Sequence, residues 1–520
     1  MNLDKKIKQN NSKVVYLYYI GIYTRKKLKK IVVIGSGFSG LASATELASA
    51  GHDVIILEKN NTPGGRARQF KADGFTFDMG PSWYWMPEVF EQYFEKHGKS
   101  VSDYYNLKRL DPSYTVCFGK DDFVDIPASF SELLDLFESL EKGAAPKLES
   151  FLEEAAYKYK VGMEEYVWKP SLSVTEFFDV KVIKSAFKLQ MFSSISKQIR
   201  SLFSNPKIIE LLEFPVLFLG ATPQDTPALY SLMNYADLKL GTWYPEGGMY
   251  KIIEGMVSLA EDKGVKFLYN HEVKSINISG RHVQSVDTVN SSIDCDYVVA
   301  SADYHHIEQQ VIAPEYRLYD AKYWDKRKMA PSSLLFYIGL NKKLDNLNHH
   351  TLFFDTDFNL HAKEIYKDPK WPTSPLFYMC TPSVTDNQIS PEGHENLFLL
   401  MPLAPGIEDT DVLREEYFEL LVSRVQDLCG INIKQNIVYK RSYCIEDFKN
   451  DYNAFKGNAY GLANTLDQTA ILKPTMKNKK ISNLYFTGQL TVPGPGVPPS
   501  IISGQMVANE VIKNIARHGK

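Results

Sequence analysis

Two hydrophobic periods organise the chain. Ile31–Ile34 is an unbroken apolar, β-branched run, the pattern of a strand covered on both faces. Leu41, Ala44, Leu47 and Ala48 then recur at helical spacing, Gly51 stops the helix, and Val54–Leu57 is a second apolar run ending at Glu58. Strand, helix and strand within about 30 residues predict a βαβ unit with parallel strands. Residues 264–303 alternate apolar and polar positions in short runs broken by Asn, Gly and Ser, which predicts a sheet meander returning to a buried strand, Tyr297–Ala300. "NLYF" before Thr487 reads as one more short strand, and a helix is expected from Ser500.

Residues 129–235 read as mainly helical. Ser129 and Glu132 have the S-x-x-E spacing of a capping box. No acid occurs from Val180 to Ile209, where Lys181, Lys184, Lys188, Lys197, Arg200 and Lys207 are interleaved with apolar residues. Phe192, Ile195, Ile199 and Leu202 fall there on one helical face. Such a stretch suits the surface of an anionic bilayer, or equally a core-packed helix with a solvated lysine face.

Composition narrows the class. With 520 residues and 44% apolar content, the chain has material for two or three domains with real cores. A net charge of -3 provides no basic surface for nucleic acid. Cys117, Cys295, Cys380, Cys429 and Cys444 are scattered, with no CxxC pair and no His at ligand spacing, so free thiols in a reducing compartment and no metal site are expected. Residues 1–30 carry nine Lys and Arg against one Asp, around an apolar run, Val14–Tyr23, that falls well short of the roughly 20 residues a bilayer span needs. Residues 1–27 read as a basic leader outside the fold, with a membrane-surface tether as the alternative.

The candidate chemistry starts between the first strand and helix, where Gly35, Gly37 and Gly40 have GxGxxG spacing. Gly35 permits the turn, Gly37 lets a pyrophosphate approach the backbone, and Gly40 lets helix and strand pack closely. The helix start offers open N–H groups and a positive dipole end to phosphate. Glu58 is placed to accept from a ribose diol and repels a 2′-phosphate, which leaves FAD and NAD. Gly64 and Gly65 then allow another close approach, with Arg66 and Arg68 as phosphate donors. Two aromatic clusters, Trp83, Tyr84 and Trp85, and Trp243 and Tyr244, offer rigid surface for a long apolar ligand, although such clusters also occur in plain cores. Glu246 is a candidate proton acceptor whose competing role is helix capping, and His305 and His306 are weaker candidates. Thr487–Gly504 holds four prolines and four glycines in eighteen positions, a backbone stiffened and stripped so that something can lie against it.

"GGRAR" resembles the second fingerprint of the flavoproteins that include amine oxidases, protoporphyrinogen oxidase and carotenoid desaturases. In order, "GSGFSGL", "GGRAR", "FDMGPSW", "GTWYPEGGM", "YVVASADYHH" and "GPGVPPSIISG" closely resemble the bacterial-type phytoene desaturases over residues 30 to 515. The resemblance implies an α/β fold: a Rossmann-like FAD-binding domain of the amine oxidase/carotenoid desaturase type with an inserted mixed substrate domain containing a helical membrane-facing part. The expected division is a leader at 1–27, FAD-binding segments at 28–110, 240–310 and 470–520, and substrate segments at 111–239 and 311–469. It further implies that Val273 lies at the adenine end, and that Gly488, Gly496 and Val497 lie at the flavin ring. The implied activity is FAD-dependent insertion of double bonds into a linear carotenoid precursor, phytoene to lycopene. A diapophytoene or hydroxycarotenoid 3,4-desaturase is the alternative, with an amine or porphyrinogen oxidase and a non-catalytic prenyl-lipid carrier behind it. A cytoplasmic enzyme seated on the cytoplasmic membrane, passing electrons to oxygen or a quinone, completes the expectation. Ser301, Gln489 and Leu490 depart from the family's usual residues.

Overall fold

The computed structural model describes residues 28–173 and 193–518. The leader at 1–27 lies outside that range, as do Lys181, Lys184, Lys188 and Phe192 of the basic stretch. A five-stranded parallel sheet runs in the order 484–486, 297–300, 30–34, 53–57, 266–268. The central strand explains its own sequence. Ile31 and Val33 face one core cluster, beneath helices Phe38–Ser49 and Val497–His518, while Val32 and Ile34 face another that holds the antiparallel meander of residues 273–294. Both faces are covered, so no position is free to be polar.

The two helices cross at small residues. A side chain on Gly40 would collide with the Gly35 carbonyl, and one on Gly504 with the Ser39 carbonyl, so backbone meets backbone where the dinucleotide turn begins. The last helix starts at Val497, three residues earlier than expected, with Pro498 and Pro499 in its first turn. Prolines suit that turn because its N–H groups have no partner within the helix.

A second sheet of seven strands has the order 437–443, 332–340, 395–403, 377–380, 350–353, 114–119, 122–126. Leu334, Phe336 and Ile338 pack under helix Asp411–Cys429, while Leu335 and Tyr337 point to the opposite side. Helices within 130–213 share a core cluster with Leu335, Tyr337, Tyr114 and Val116 of this sheet. Ser129 does cap its helix, accepting from the Glu132 N–H. In the described part of the basic stretch, Ile195, Ile199 and Phe203 are buried in the core, and Arg200 pairs with buried Glu213. The apolar face of residues 195–202 is therefore core-facing, which corrects the bilayer alternative there. No helix among the described residues is long and apolar enough to cross a membrane.

Candidate functional site

One cavity of about 990 Å³ runs from the GxGxxG turn to the second sheet. At its first end Gly35 adopts φ +96°, donates its N–H to the Leu57 carbonyl at 2.8 Å, and lies so close to Ala302 that a side chain would crowd the backbone. Gly37 caps helix Phe38–Ser49 with no side-chain hydrogen bond, and a Cβ there would enter open space. The helix thus presents unclaimed N–H groups and the positive end of its dipole to the cavity. Gly64 docks on this turn through its N–H to the Ser36 carbonyl at 3.0 Å, and Gly65 faces Gly37.

Glu58 is held from two sides. Ser36 N–H and Oγ–H donate to Oε2 at 2.9 and 2.6 Å, and Asn60 N–H and Nδ2–H donate to Oε1 at 2.9 and 3.1 Å. The backbone donors lock the carboxylate, and Ser36, Glu58 and Asn60 all line the cavity. Glu272 and Val273 line the same end, brought there by the His271 N–H donating to the Glu58 carbonyl.

Arg66 sits at the junction with the rest of the cavity. Its Nη2 donates to the Asn458 carbonyl at 3.3 Å, its Nη atoms adjoin the Gln489 amide, whose oxygen accepts from both once the amide is assigned with that oxygen facing them, and its Nε is buried without a partner. Burial pushes this guanidinium below its ordinary value, against the attraction of Asp303. The Asp303 carboxyl is pushed up by burial while accepting from the His306 and Phe455 N–H groups. The proline-glycine loop, Pro493 to Pro499, forms the facing wall together with Gly488. Ser500 N–H is already used by the Gly496 carbonyl, and the two prolines have none, so Val497 supplies the donor that this helix start can aim outward. That corrects Ser500 as the place where the helix end acts.

Of the expected cofactor residues, Gly35, Gly37, Glu58, Gly64, Gly65, Arg66, Val273, Gly488, Gly496 and Val497 line the cavity. Gly40 lies behind the turn as a packing glycine. Arg68 does not line the cavity and pairs with Asp451, which does, so it is not a free phosphate donor. Trp83 and Trp85 line the cavity; Tyr84, Trp243 and Tyr244 do not. Strand Trp243–Pro245 pairs with Leu107–Arg109, which carries Trp243 under Arg109 and Tyr244 to Asp386. Tyr84 stacks on Phe90 and bonds to Tyr105. Glu246 is exposed, outside the cavity, and so is no base. His305 stacks on Phe455 instead. His306 does line the cavity, but beside Glu272 and Lys59, and burial lowers it to about 4. Sequence reasoning missed Asn60, Asp303, Tyr378 and Asn464, all of which line the cavity. Only Asn60 left a signal, an Asx residue two positions after the acid.

The second end is apolar: Phe214, Leu217, Leu352, Phe354, Ile365 and Leu400 surround it. His361 lies there as well, and both its nitrogens are engaged, Nε2 to the Pro402 carbonyl and Nδ1 to the Leu376 N–H. Burial lowers it to about 4, so it stays neutral.

The family of flavin containing amine oxidoreductases matches residues 38–512. A carotenoid 3,4-desaturase of Haloarcula japonica is 40% identical over 94% of this chain and 98% of its own. A 4,4′-diapophytoene desaturase (4,4′-diaponeurosporene-forming) of Staphylococcus aureus is 32% identical over 94% and 99%. The chain belongs to the carotenoid desaturase family. Among solved structures, an oxidoreductase from Methanosarcina mazei (18% identical, 92% and 100% covered, TM-score 0.61) and a putrescine oxidase variant (13%, 94% and 99%, 0.61) share its fold. The desaturase is an FAD-dependent oxidoreductase acting on carotenoids. Its residues fit that cofactor: an uncapped helix start at an open glycine, a carboxylate lining the cavity beside that glycine turn, and an orphaned Arg66 Nε at the junction.

Proposed function

We propose that the protein inserts a carbon–carbon double bond into a linear carotenoid held in the apolar end of the cavity. The observation that carries this is continuity: one cavity joins the dinucleotide glycines to a chamber walled by hydrocarbon side chains. Two C–H bonds on adjacent carbons break, a π bond forms, and two electrons and two protons leave the substrate. Bound FAD supplies the electron sink, and oxygen or a quinone reoxidises it.

The chain's own residues bind, orient and exclude water. Glu58, the helix start at Gly37 and Arg66 would hold the ribose and phosphates. The loop from Pro493 to Val497 gives a rigid wall, with the Val497 N–H at the helix start that ends it. Trp83 and Trp85 narrow the passage, and the apolar wall beyond keeps a polyene extended and dry.

For the position of the bond, the 40% identity to a carotenoid 3,4-desaturase supports a 3,4 bond near an end group. The motif resemblance supports phytoene to lycopene as the second reading. The proposed location is the cytoplasmic membrane surface. In support, Trp168, Ile471 and Leu472 are exposed next to Val167 and Ala470, which line the cavity. Expression in cells that make only phytoene, and separately in cells that make lycopene and its hydroxylated derivatives, tests the reading. A product two hydrogens lighter in the second host supports 3,4-desaturation, and lycopene in the first supports the alternative. Unchanged carotenoids in both refute the proposal.

A further inference from the structure

A second cluster lies behind the chamber wall. Strand His350–Phe353 pairs antiparallel with Phe377–Cys380, placing His350 directly opposite Cys380, with His349 just before the strand. A ring nitrogen of each histidine and the Cys380 sulfur all lie within 4.8 Å of one another. His349 is 4% exposed, His350 0% and Cys380 3%.

The histidine rings are oriented. His349 Nδ1 bonds to Thr385 Oγ1 at 2.7 Å and His350 Nδ1 to the Tyr378 hydroxyl at 2.6 Å. Both Nε2 atoms are buried without a partner. Packing accounts for the ring faces, since Trp83 stacks on His350 at 4.2 Å and Tyr244 lies against His349. It does not account for two dry, unmatched nitrogens, which cost free energy unless something binds them. A small cavity of about 30 Å³ lined by His349 and Cys380 adjoins the cluster, room for about one water.

We propose that His349, His350 and Cys380 bind one zinc ion, with a water from the adjoining cavity in the fourth position. Two imidazoles and a thiolate form a borderline-soft donor set that suits zinc, and side-chain partners on the Nδ1 atoms are the arrangement that orients metal-binding histidines. As the Zn–S bond forms, the Cys380 S–H proton leaves to solvent. The site is structural. Tyr378 also bonds to Ser82, and Ser82, Trp83 and Tyr378 all line the substrate chamber, so a metal here would pin two strands and one wall of that chamber. The sequence hides the site because its ligands are 30 residues apart and meet only through strand register.

The test uses the FAD-loaded full chain incubated with zinc, then freed of loose metal by gel filtration. The expected result is one zinc per chain. Loading cobalt instead should give a thiolate-to-cobalt absorption in the difference spectrum against zinc-loaded protein, which cancels the flavin and needs no variant. Cys380→Ser and His349→Gln, each checked for flavin content, should lose the bound zinc, and Cys380→Ser the cobalt band. Wild-type protein without zinc or a thiolate–cobalt band overturns the proposal. So does full zinc content in both variants. Neither outcome bears on the carotenoid reading, which rests on the other cavity.

Discussion

Glu58→Gln tests the nucleotide end at its most constrained point. The carboxylate accepts the Ser36 N–H on one oxygen and the Asn60 N–H on the other. Glutamine offers one oxygen and one NH₂, so one of these backbone donors must face another donor. An unsatisfied buried N–H costs about 1–3 kcal/mol, and this loss falls on the folded protein with or without cofactor. The contact to the ribose loses its charge as well. A hydrogen bond to a charged group contributes about 1.5–3 kcal/mol, so FAD should bind about 10- to 150-fold more weakly. Titrating apoprotein with FAD while following flavin fluorescence reads the affinity directly, and excess FAD should recover desaturation. An unchanged Kd, or activity that excess FAD fails to recover, would refute the placement of Glu58 on the ribose.

Three other predictions follow from side chains that the structure separates. Arg66→Met should weaken FAD binding at least tenfold, by loss of a charge-assisted contact, whereas Arg68→Met should change it only a few-fold because Arg68 does not line the cavity and its guanidinium is already paired with Asp451. Equal effects in the same titration would contradict that division. Trp83→Ala should alter KM and the product distribution in carotenoid chromatograms, while Trp243→Ala, outside the cavity, should lower Tm without changing the products. Identical product profiles for wild type and Trp83→Ala would count against the chamber wall. Between about pH 6.5 and pH 4 the stability contributed by the neutral His361 and His306 should be lost as the pH falls. His361 and His306 are lowered to about 4 in the fold, so over that window the unfolded chain binds more protons. His361, almost fully buried, accounts for on the order of 3 kcal/mol of that loss. Melting curves against pH should therefore be flatter between pH 6.5 and 4 in His361→Gln than in the wild type, and an unaltered acid slope in that variant would argue against a neutral buried imidazole.

What the sequence made legible was local. The βαβ unit, the glycine turn, Glu58, the meander into Tyr297–Ala300 and the proline-glycine loop each depend on residues adjacent in the chain, and each could be read from period or spacing. The early start of the last helix was less so, because prolines in a first turn look the same from outside and inside the helix. The aromatic clusters misled for a different reason. Trp83 and Trp243 have the same composition around them, and only the pairing of Trp243–Pro245 with Leu107–Arg109 shows which ring reaches the cavity. Asp303 is set by a helical turn, Gln489 and Arg66 by a contact across more than 400 residues, and His350 and Cys380 by strand register, none of which leaves a periodic trace.

The central claim is that this cavity carries a linear carotenoid to bound FAD. Anaerobic mixing of the flavin-loaded protein with candidate carotenoids in vesicles, followed by absorbance and product mass, tests it most directly. Bleaching of the flavin's visible band together with a product two hydrogens lighter than its precursor is the predicted result. Retained flavin colour with phytoene, diapophytoene, lycopene and hydroxylated lycopene alike, or bleaching by an amine instead, would contradict the account.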